Sequence, residues 1–530
     1  MGKIYERRLE HPLPTMSMGK MILDNLRLNG DHVFTIDGPT GKKMTCKELY
    51  EKSVKLAQFL HRYGIKIGDR ISIAAENRIE WVIPLCATIY LGAIVTPYNP
   101  AYTEYEFQHV LNISKPRIVF VSRRTERTLA KIRPTLSWQL ELMQLDDQPF
   151  GTIRTLTDIL NNEKAIDLSE FETTNIGDNS KHPLAILCSS GTTGLPKGVT
   201  LSHRNMFSFI LKVIQPDLFD TRLHERVLLL LPFYHGYAFG MLLLGIYRDN
   251  TMILLPSFDP KLFLTTIQEF KITCLPIVPP ILSFIAKHPM VEKYDLRSVR
   301  EIICGAAPFT KETIVEVKAR TGIKYIRNGY GMTEMTLVSN LSSREDDEGS
   351  GEPLPGFLSK VIDLKTRKTL GVGQVGEICF KGDQVMMYYW NNPEATRETF
   401  DEDGWLHTGD VGYYDEKDRL HVVDRLKELI KYKAYQVSPS EIEGLLLSHP
   451  AVKDAAVAGK PDEHSGEIPI AFIVRKPGAT VTVQDIQEFI KQKLSPQKWL
   501  RGGVQFVDAI PKNPTGKILR RELRALVAKL

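Results

Sequence analysis

The stretch Ser189-Ser190-Gly191-Thr192-Thr193-Gly194-Leu195-Pro196-Lys197-Gly198 gathers four hydroxyl residues, three glycines and one lysine within ten positions. Ala185 to Cys188, just ahead of it, is short and apolar and reads as a strand. Glycines let backbone N–H groups turn inward, the hydroxyls add donors, and Lys197 supplies a full positive charge. The segment therefore reads as a cradle for a polyphosphate. It is not the G-x-x-x-x-G-K-[ST] loop, because Gly198 follows Lys197. The plainer alternative is an ordinary Gly/Thr-rich connection.

Outward from this loop, strand-like and helix-like segments alternate. Thr45 to Tyr63 carries helical apolar spacing at Leu49, Val54, Leu56, Phe59 and Leu60. Arg70 to Ala75 and Arg117 to Val121 read as strands on either side of a helix over Glu104 to Ile113. Val227 to Leu231 and Met252 to Leu255 are short, fully apolar runs, as expected of strands buried on both faces. Such alternation predicts an α/β fold with mostly parallel sheets. Trp81 to Tyr98 is uncharged and as long as a membrane span, but Pro84, Gly92 and Pro97 interrupt it. It reads as a buried helix turning into a core strand, with membrane contact as the alternative.

At 530 residues the chain exceeds one ordinary core, so more than one domain is expected. Apolar content of 43% and charged content of 25% are those of a globular protein. The net charge of +5 is spread along the chain, and no basic block suggests nucleic acid. Six scattered cysteines without C-x-x-C spacing predict buried reduced thiols rather than a disulfide or zinc framework. Met1 to Glu10 is charged and does not read as a signal peptide. Ala528-Lys529-Leu530 is a variant of the S-K-L address and predicts a peroxisomal import receptor as partner, with cytoplasmic residence otherwise.

A boundary falls at Asp424-Arg425-Leu426-Lys427. Ahead of it, Gly376 to Phe380 and Leu420 to Val423 read as β structure with turns at Asp401 to Gly404 and Asp415 to Asp418. Behind it, Ser438-Pro439-Ser440-Glu441 is a helix start for Glu441 to Ser448. Strands over Ala455 to Ala458 and Ile470 to Val474, then a helix over Val483 to Leu494, complete a small α+β module. The expected division is residues 1–425 and 426–530.

The loop also carries a resemblance, joined in order by Tyr330 to Glu334 (YGMTE), Gly404 to Asp410 (GWLHTGD), Asp424 to Val437 (DRLKELIKYKAYQV) and Pro511 to Arg521 (PKNPTGKILRR). From about Thr35 to the C-terminus the chain resembles the adenylate-forming enzymes: acyl-CoA synthetases, 4-coumarate-CoA ligases, beetle luciferases and peptide-synthetase adenylation domains. LRGGVQFVD (Leu500 to Asp508) and LLLSHPAVKDAAVAGKPDE (Leu445 to Glu463) are typical of the insect luciferase and luciferase-like fatty-acyl-CoA synthetase branch. The resemblance implies a large N-terminal multi-sheet α/β domain and a small mobile C-terminal lid.

It also implies the chemistry. A carboxylate attacks the α-phosphorus of ATP, pyrophosphate leaves, and an acyl-adenylate forms. Such a displacement needs positioning and charge neutralisation more than a protein nucleophile. By resemblance Ser189, Ser190, Gly191, Thr192, Thr193, Gly194 and Lys197 hold the β- and γ-phosphates, Thr333 touches the α-phosphate, and Glu334 holds Mg²⁺. Tyr330 offers a ring for adenine. Gly305-Ala306-Ala307-Pro308, with Asn328, Gly329, Gly331 and Met332, builds the rest of the slot. Asp410 and Arg425 correspond to ribose contacts. Lys517 corresponds to the adenylation catalyst and Lys427 to the hinge about which the lid turns so that CoA can enter. Without that context Arg425 is any surface ion pair, and Lys427 and Lys517 are solvated lysines.

His235 follows a buried strand and resembles the histidine near the substrate carboxylate, with a core histidine as the alternative. Phe209, Tyr237 and Leu337 join it around the acyl group. Phe209 and Leu337 are apolar where firefly-type luciferases place polar groups nearby, so an elongated apolar acid is expected. Lys431 and Ala434 fall on the CoA path, and Ala434 stands where the family almost always has glycine. Two activities fit these residues: a medium- or long-chain fatty-acyl-CoA ligase using ATP, Mg²⁺ and CoA, or a luciferase-type monooxygenase that adenylates a luciferin and oxidises it with O₂.

Overall fold

A computed structural model describes residues 2–9, 12–146, 153–162, 168–189, 196–215, 218, 225–306, 309, 311–344, 349–433, 435–513 and 516–529. Three sheets form the bulk of the chain. A nine-stranded sheet has a parallel centre made of Val33–Asp37, Thr251–Leu254, Arg226–Leu229, Cys274–Ile277, Glu301–Gly305 and Tyr325–Tyr330. A seven-stranded sheet centres on Pro183–Ser189, Ile94–Pro97, Arg70–Ala74 and Ile118–Val121. The third, of five strands, is antiparallel and includes Gly376–Gly382, Leu406–Tyr414 and Leu420–Arg425. Parallel pairing therefore dominates two sheets and not the third, where short turns such as that at Asp418 (φ +58°) join neighbouring strands directly.

Helices start where local chemistry starts them. Thr45 accepts from the Glu48 N–H while the Glu48 carboxylate accepts from the Thr45 N–H, closing a capping box on Cys46–Arg62. Thr103 and Glu106 repeat the device on Glu104–Ser114. Trp81 to Tyr98 folds as Val82–Tyr90, a wholly buried helix, followed by the buried strand Ile94–Pro97. Pro84 lies in the first turn of that helix, where it breaks no internal hydrogen bond, and Gly92 (φ +61°) makes the turn into the strand. Among the described residues no helix is long and apolar enough to cross a membrane. All six cysteines are free, five of them buried.

Behind Arg425 the chain builds a separate sheet around a long hairpin, Val452–Asp462 with Gly466–Arg475. These strands run past the apolar runs Ala455 to Ala458 and Ile470 to Val474 because pairing continues through Lys460 and Asp462. Pro439–Leu447, capped by Ser438, and Val483–Lys491, capped by Thr482, pack on this unit. One hydrophobic core draws on residues from Tyr5 to Leu420, another on residues from Ile430 to Val504. The expected division at 425/426 lies between them.

Candidate active site

The site forms where the parallel strands of the nine-stranded sheet end. Gly305 and Gly329 are register partners on Glu301–Gly305 and Tyr325–Tyr330. A Cβ on Gly305 would stand 2.8 Å from the Gly329 carbonyl oxygen, and one on Gly331 would collide with the Leu337 carbonyl. Only glycine lets these segments close on each other. Ala306 follows at φ +76°, a left-handed conformation that costs a residue with a Cβ about 1–2 kcal/mol. Ala307 and Pro308 lie outside the described residues.

Tyr330 ends its strand with its hydroxyl donating to Asp410 Oδ2 over 2.7 Å. Arg425 Nε holds Asp410 Oδ1 at 3.1 Å, because Asp410 and Arg425 are register partners on adjacent antiparallel strands. The Asp410 backbone N–H donates to Thr408 Oγ1. Burial, followed by the Asp410 charge, pushes the Tyr330 phenol well above its usual value, so it stays protonated and keeps donating. The result is a ring, a carboxylate and a guanidinium locked at one edge of the cleft.

Glu334 sits in a short 3₁₀ turn, Thr333–Met335, and is buried. Its Oε1 accepts the Tyr389 hydroxyl over 2.8 Å. Lys197 Nζ stands 4.8 Å from the centre of the same Tyr389 ring. Tyr389 belongs to a two-residue strand, Tyr388–Tyr389, paired with Lys197–Ser202. It thus joins the loop lysine to the carboxylate, a link absent from the sequence reading because Tyr389 belongs to none of the five motifs. Ser189 and Lys197 face each other across an antiparallel hairpin. Ser190, Gly191, Thr192, Thr193, Gly194 and Leu195 between them lie outside the described residues. A buried carboxylate with one hydrogen-bond donor retains lone pairs for a hard cation, so Glu334 fits Mg²⁺.

His235 caps the helix Gly236–Tyr247, with Nδ1 accepting from the Tyr237 N–H at 3.3 Å. The proton of the neutral ring is thereby assigned to Nε2. Burial, then the Lys517 charge, lowers the imidazole to about 4, so it is neutral at ordinary pH. Lys517 arrives from the C-terminal unit. Burial and the Arg425 charge lower its ammonium to about 8, against the pull of Glu428, Asp410 and Glu334. Asn513 Oδ1 accepts from its backbone N–H. Gly516 (φ +78°) presses on the helix Pro279–Lys287, since a Cβ there would lie 2.5 Å from Pro280 Cγ. The C-terminal unit is therefore docked with its lysine inside the cleft.

Further contacts fix that docking. The buried Asp424 carboxylate accepts from Ser438 Oγ at 2.6 Å and from the Ser440 N–H at 2.9 Å. Within the C-terminal unit itself, Arg520 pairs with Glu428 and Glu443, and Arg524 donates to the Lys427 carbonyl. The Lys427 side chain is exposed in the turn after Leu420–Arg425. Lys431 is exposed on Ile430–Tyr432, and Ala434 lies outside the described residues. Asn328 donates to the Gly349 carbonyl and to Ser350, bracing the strand rather than lining the cavity.

A cavity of about 100 Å³ opens beside His235 and Thr333. Gly305, Ala306, Gly329, Tyr330, Gly331 and Met332 line its polar end. Phe209, Tyr237, Met241, Leu244 and Leu337 line the rest, which is overwhelmingly apolar. Tyr237 spends its hydroxyl on the Ile303 carbonyl at 3.0 Å, turning only ring toward the cavity.

The model of the AMP-binding enzyme family matches residues 24–390, and that of the AMP-binding enzyme C-terminal domain matches residues 441–517. The chain belongs to the AMP-binding, adenylate-forming enzymes. It is 39% identical to luciferin 4-monooxygenase of Luciola mingrelica over 499 residues, 92% of this chain and 90% of that one. It is equally 39% identical to 4-coumarate–CoA ligase 1 of Petroselinum crispum over 521 residues, 95% and 93% of the two chains. Its fold matches the crystal structure of ATP-bound MatB from Rhodopseudomonas palustris with a TM-score of 0.87 at 29% identity, covering 96% of this chain and 99% of that one. Against the apo form of MatB the TM-score is 0.77.

Proposed function

We propose that this enzyme activates a medium- or long-chain fatty acid with ATP and passes the acyl group to CoA. The observation that carries the reading is the apolar cavity wall of Phe209, Met241, Leu244 and Leu337, which ends at His235 and Thr333 within reach of Lys517. An acid seated there has its carboxylate at the polar end and its chain among side chains that offer no partner for a second polar group.

The residues then have these roles. His235 donates from Nε2 to the acid carboxylate and holds it at the α-phosphorus. Lys517 stabilises the charge that grows on the α-phosphate as pyrophosphate leaves, and Thr333 donates beside it. Lys197 and the Ser189 loop bind the β- and γ-phosphates. Tyr330, Asp410 and Arg425 hold the adenosine. Glu334 would hold Mg²⁺, which would supply charge neutralisation for the triphosphate. Lid rotation about Lys427 then removes Lys517 and brings Lys431 and Ala434 toward the thiol of CoA.

The second reading, a luciferase-type monooxygenase, has support in the likeness to luciferin 4-monooxygenase. One assay separates the two: purified protein with ATP, Mg²⁺, a fatty-acid panel and a luciferin, with and without CoA, read for AMP, acyl-CoA and photons. Acyl-CoA from fatty acids supports the ligase. Light with a luciferin at rates matching the best fatty acid replaces it with the monooxygenase. Ala434→Gly tests the CoA path: a rise in thioester yield at constant pyrophosphate release marks the alanine methyl as an obstruction.

A further inference from the structure

Three metal-ligating side chains that the adenylation chemistry does not use meet on the antiparallel sheet. Glu377 and Cys379 lie two positions apart on Gly376–Gly382, and His407 is the register partner of Cys379 on Leu406–Tyr414. Strand alternation and cross-strand pairing bring all three to one face. Their ligand atoms lie within 4.8 Å of one another. Cys379 Sγ stands 3.4 Å and Glu377 Oε2 3.1 Å from His407 Nδ1. Glu377 and Cys379 are buried, and His407 is half-buried. No sequence spacing announces the cluster, because Cys379 and His407 meet only through strand register.

The contacts around His407 Nδ1 cannot all be hydrogen bonds. Arg367 Nη2 approaches Nδ1 at 2.8 Å and needs a lone pair there, whereas Glu377 Oε2 at 3.1 Å needs an N–H. A neutral ring protonated on Nε2 sets its Nδ1 lone pair against the carboxylate oxygen. A ring protonated on Nδ1 sets an N–H against the guanidinium. One metal cation bound by Sγ, Nδ1 and Oε2 removes the conflict, with Nδ1 giving its lone pair and Nε2 keeping its proton. Asp401 Oδ2 stands 3.5 Å from Nε2 on the far side of the ring. Its Oδ1 accepts from the Trp405 N–H at 2.8 Å, and Lys360 Nζ lies 3.7 Å from Oδ2. A carboxylate behind the imidazole is the usual partner that orients a metal-ligating histidine.

We infer that Glu377, Cys379 and His407 form a site for one divalent cation of the zinc class, which enters by displacing the Arg367 guanidinium. Atoms bound at zinc distances to one tetrahedral ion stand about 3.3–3.6 Å apart, close to the separations already present. Arg367 Nη1 donates to Glu377 Oε2 at 2.8 Å, so a positive charge already sits against the carboxylate. That charge can leave. Arg367 belongs to the exposed turn after Phe357–Ile362, and its side chain is half exposed. Its departure frees a fourth position for water. Sulfur and imidazole select a borderline-soft ion, whereas Mg²⁺ prefers oxygen, so ligand type separates this site from Glu334. Burial, then the Glu377 charge, keeps Cys379 a thiol. The metal–sulfur bond therefore forms as the S–H bond breaks, and the proton passes to solvent.

The test titrates the full-length enzyme with Co²⁺, a spectroscopic stand-in for Zn²⁺, and reads thiolate-to-cobalt charge-transfer absorption. The expected result is one saturable equivalent with a thiolate band, which Zn²⁺ abolishes by displacement. Cys379→Ser should lose the band. Asp401→Asn should weaken binding about tenfold, the usual effect of a partner behind a ligating histidine. Arg367→Gln should tighten it about tenfold, because the charge-assisted hydrogen bond that the ion must break is gone. Affinity should rise about tenfold per pH unit, since one proton leaves for each ion bound. Cooperative thermal unfolding of each variant reports whether it is folded, and a gain of affinity in Arg367→Gln is an outcome that misfolding does not produce. No thiolate band at saturating Co²⁺ overturns the site, as does a band that survives Cys379→Ser. Unchanged affinity in Arg367→Gln overturns entry by displacement of the guanidinium. None of these readouts depends on which acid the enzyme activates, so the site stands or falls apart from the fatty-acid reading.

Discussion

Tyr389 donates its phenolic hydrogen to Glu334 Oε1 over 2.8 Å, and this bond decides how the carboxylate proposed for Mg²⁺ is aimed. Partners that orient a metal ligand commonly contribute about 10–100-fold to metal affinity. Tyr389→Phe keeps the ring beside Lys197 and removes only the hydroxyl. It should raise the Mg²⁺ concentration needed for half-maximal AMP formation about tenfold, with little change at saturating Mg²⁺. A Mg²⁺ titration that superimposes on wild type would separate Tyr389 from the metal.

Lys517→Ala should cut adenylate formation by about 10²–10³, the usual loss of one transition-state donor. Thioester formation from a preformed acyl-adenylate should be spared, because the lid has by then carried Lys517 away. Gly516→Ala tests the same docking without touching the cation. Its Cβ would press on Pro280 in a left-handed backbone conformation, so adenylation should fall and the second half-reaction should persist. Equal losses in both half-reactions for either variant would refute a lid that docks for one step only.

The Lys517 ammonium, lowered to about 8 from 10.5, gives a pH signature. The lysine catalyses as a cation, so adenylation should decline as pH rises through about 8 and leave the thioester step unaffected. The sign for docking is opposite. A docked lysine binds its proton less tightly than a free one, so protonation opposes docking below about pH 8, and that opposition is gone once pH passes the ordinary value. His235, lowered to about 4, contributes no limb between pH 5 and 8. Stopped-flow adenylation across pH 6 to 9.5 in wild type and Lys517→Arg checks this. An alkaline limb left in place by arginine, which does not titrate there, would assign it to another group.

How much of this the sequence carries depends on the range of each interaction. The helices over Cys46–Arg62 and Glu104–Ser114 rest on local apolar spacing and are legible, as is the buried turn at Gly92 between a helix and a strand. The Asp410–Arg425 pair is partly legible: each residue stands in a motif, but their contact depends on strand register. Tyr389 and Glu334 are far apart in sequence and meet only because Tyr388–Tyr389 pairs with Lys197–Ser202, which no local pattern announces. Met1 to Glu10 reads only as a charged stretch, yet Ile4–Glu6 within it pairs with Phe357–Ile362, because three extended residues suffice to extend a sheet edge.

Gly240 and Leu337 set the width of the acyl cavity together. Leu337 sits at φ +83°, directly after Thr336 at φ +47°, and its side chain rests where a Cβ on Gly240 would be. Gly240→Ala must therefore displace Leu337. The displaced atoms are the end of a flexible side chain, so the protein should fold and the leucine should swing into the cavity. Long acids then lose room while short ones do not. Each buried CH₂ is worth roughly 0.8 kcal/mol, or about fourfold in kcat/KM, so excluding two should cost a long acid about tenfold or somewhat more. Leu337→Ala alone should extend the preferred length, and in the Gly240→Ala background it should restore long acids. Because the two residues share one space, the effects of the double variant should not add. Additive effects, or loss of short and long acids alike in Gly240→Ala, would show that this contact supports the fold of Thr333 to Leu337 and does not gauge the substrate.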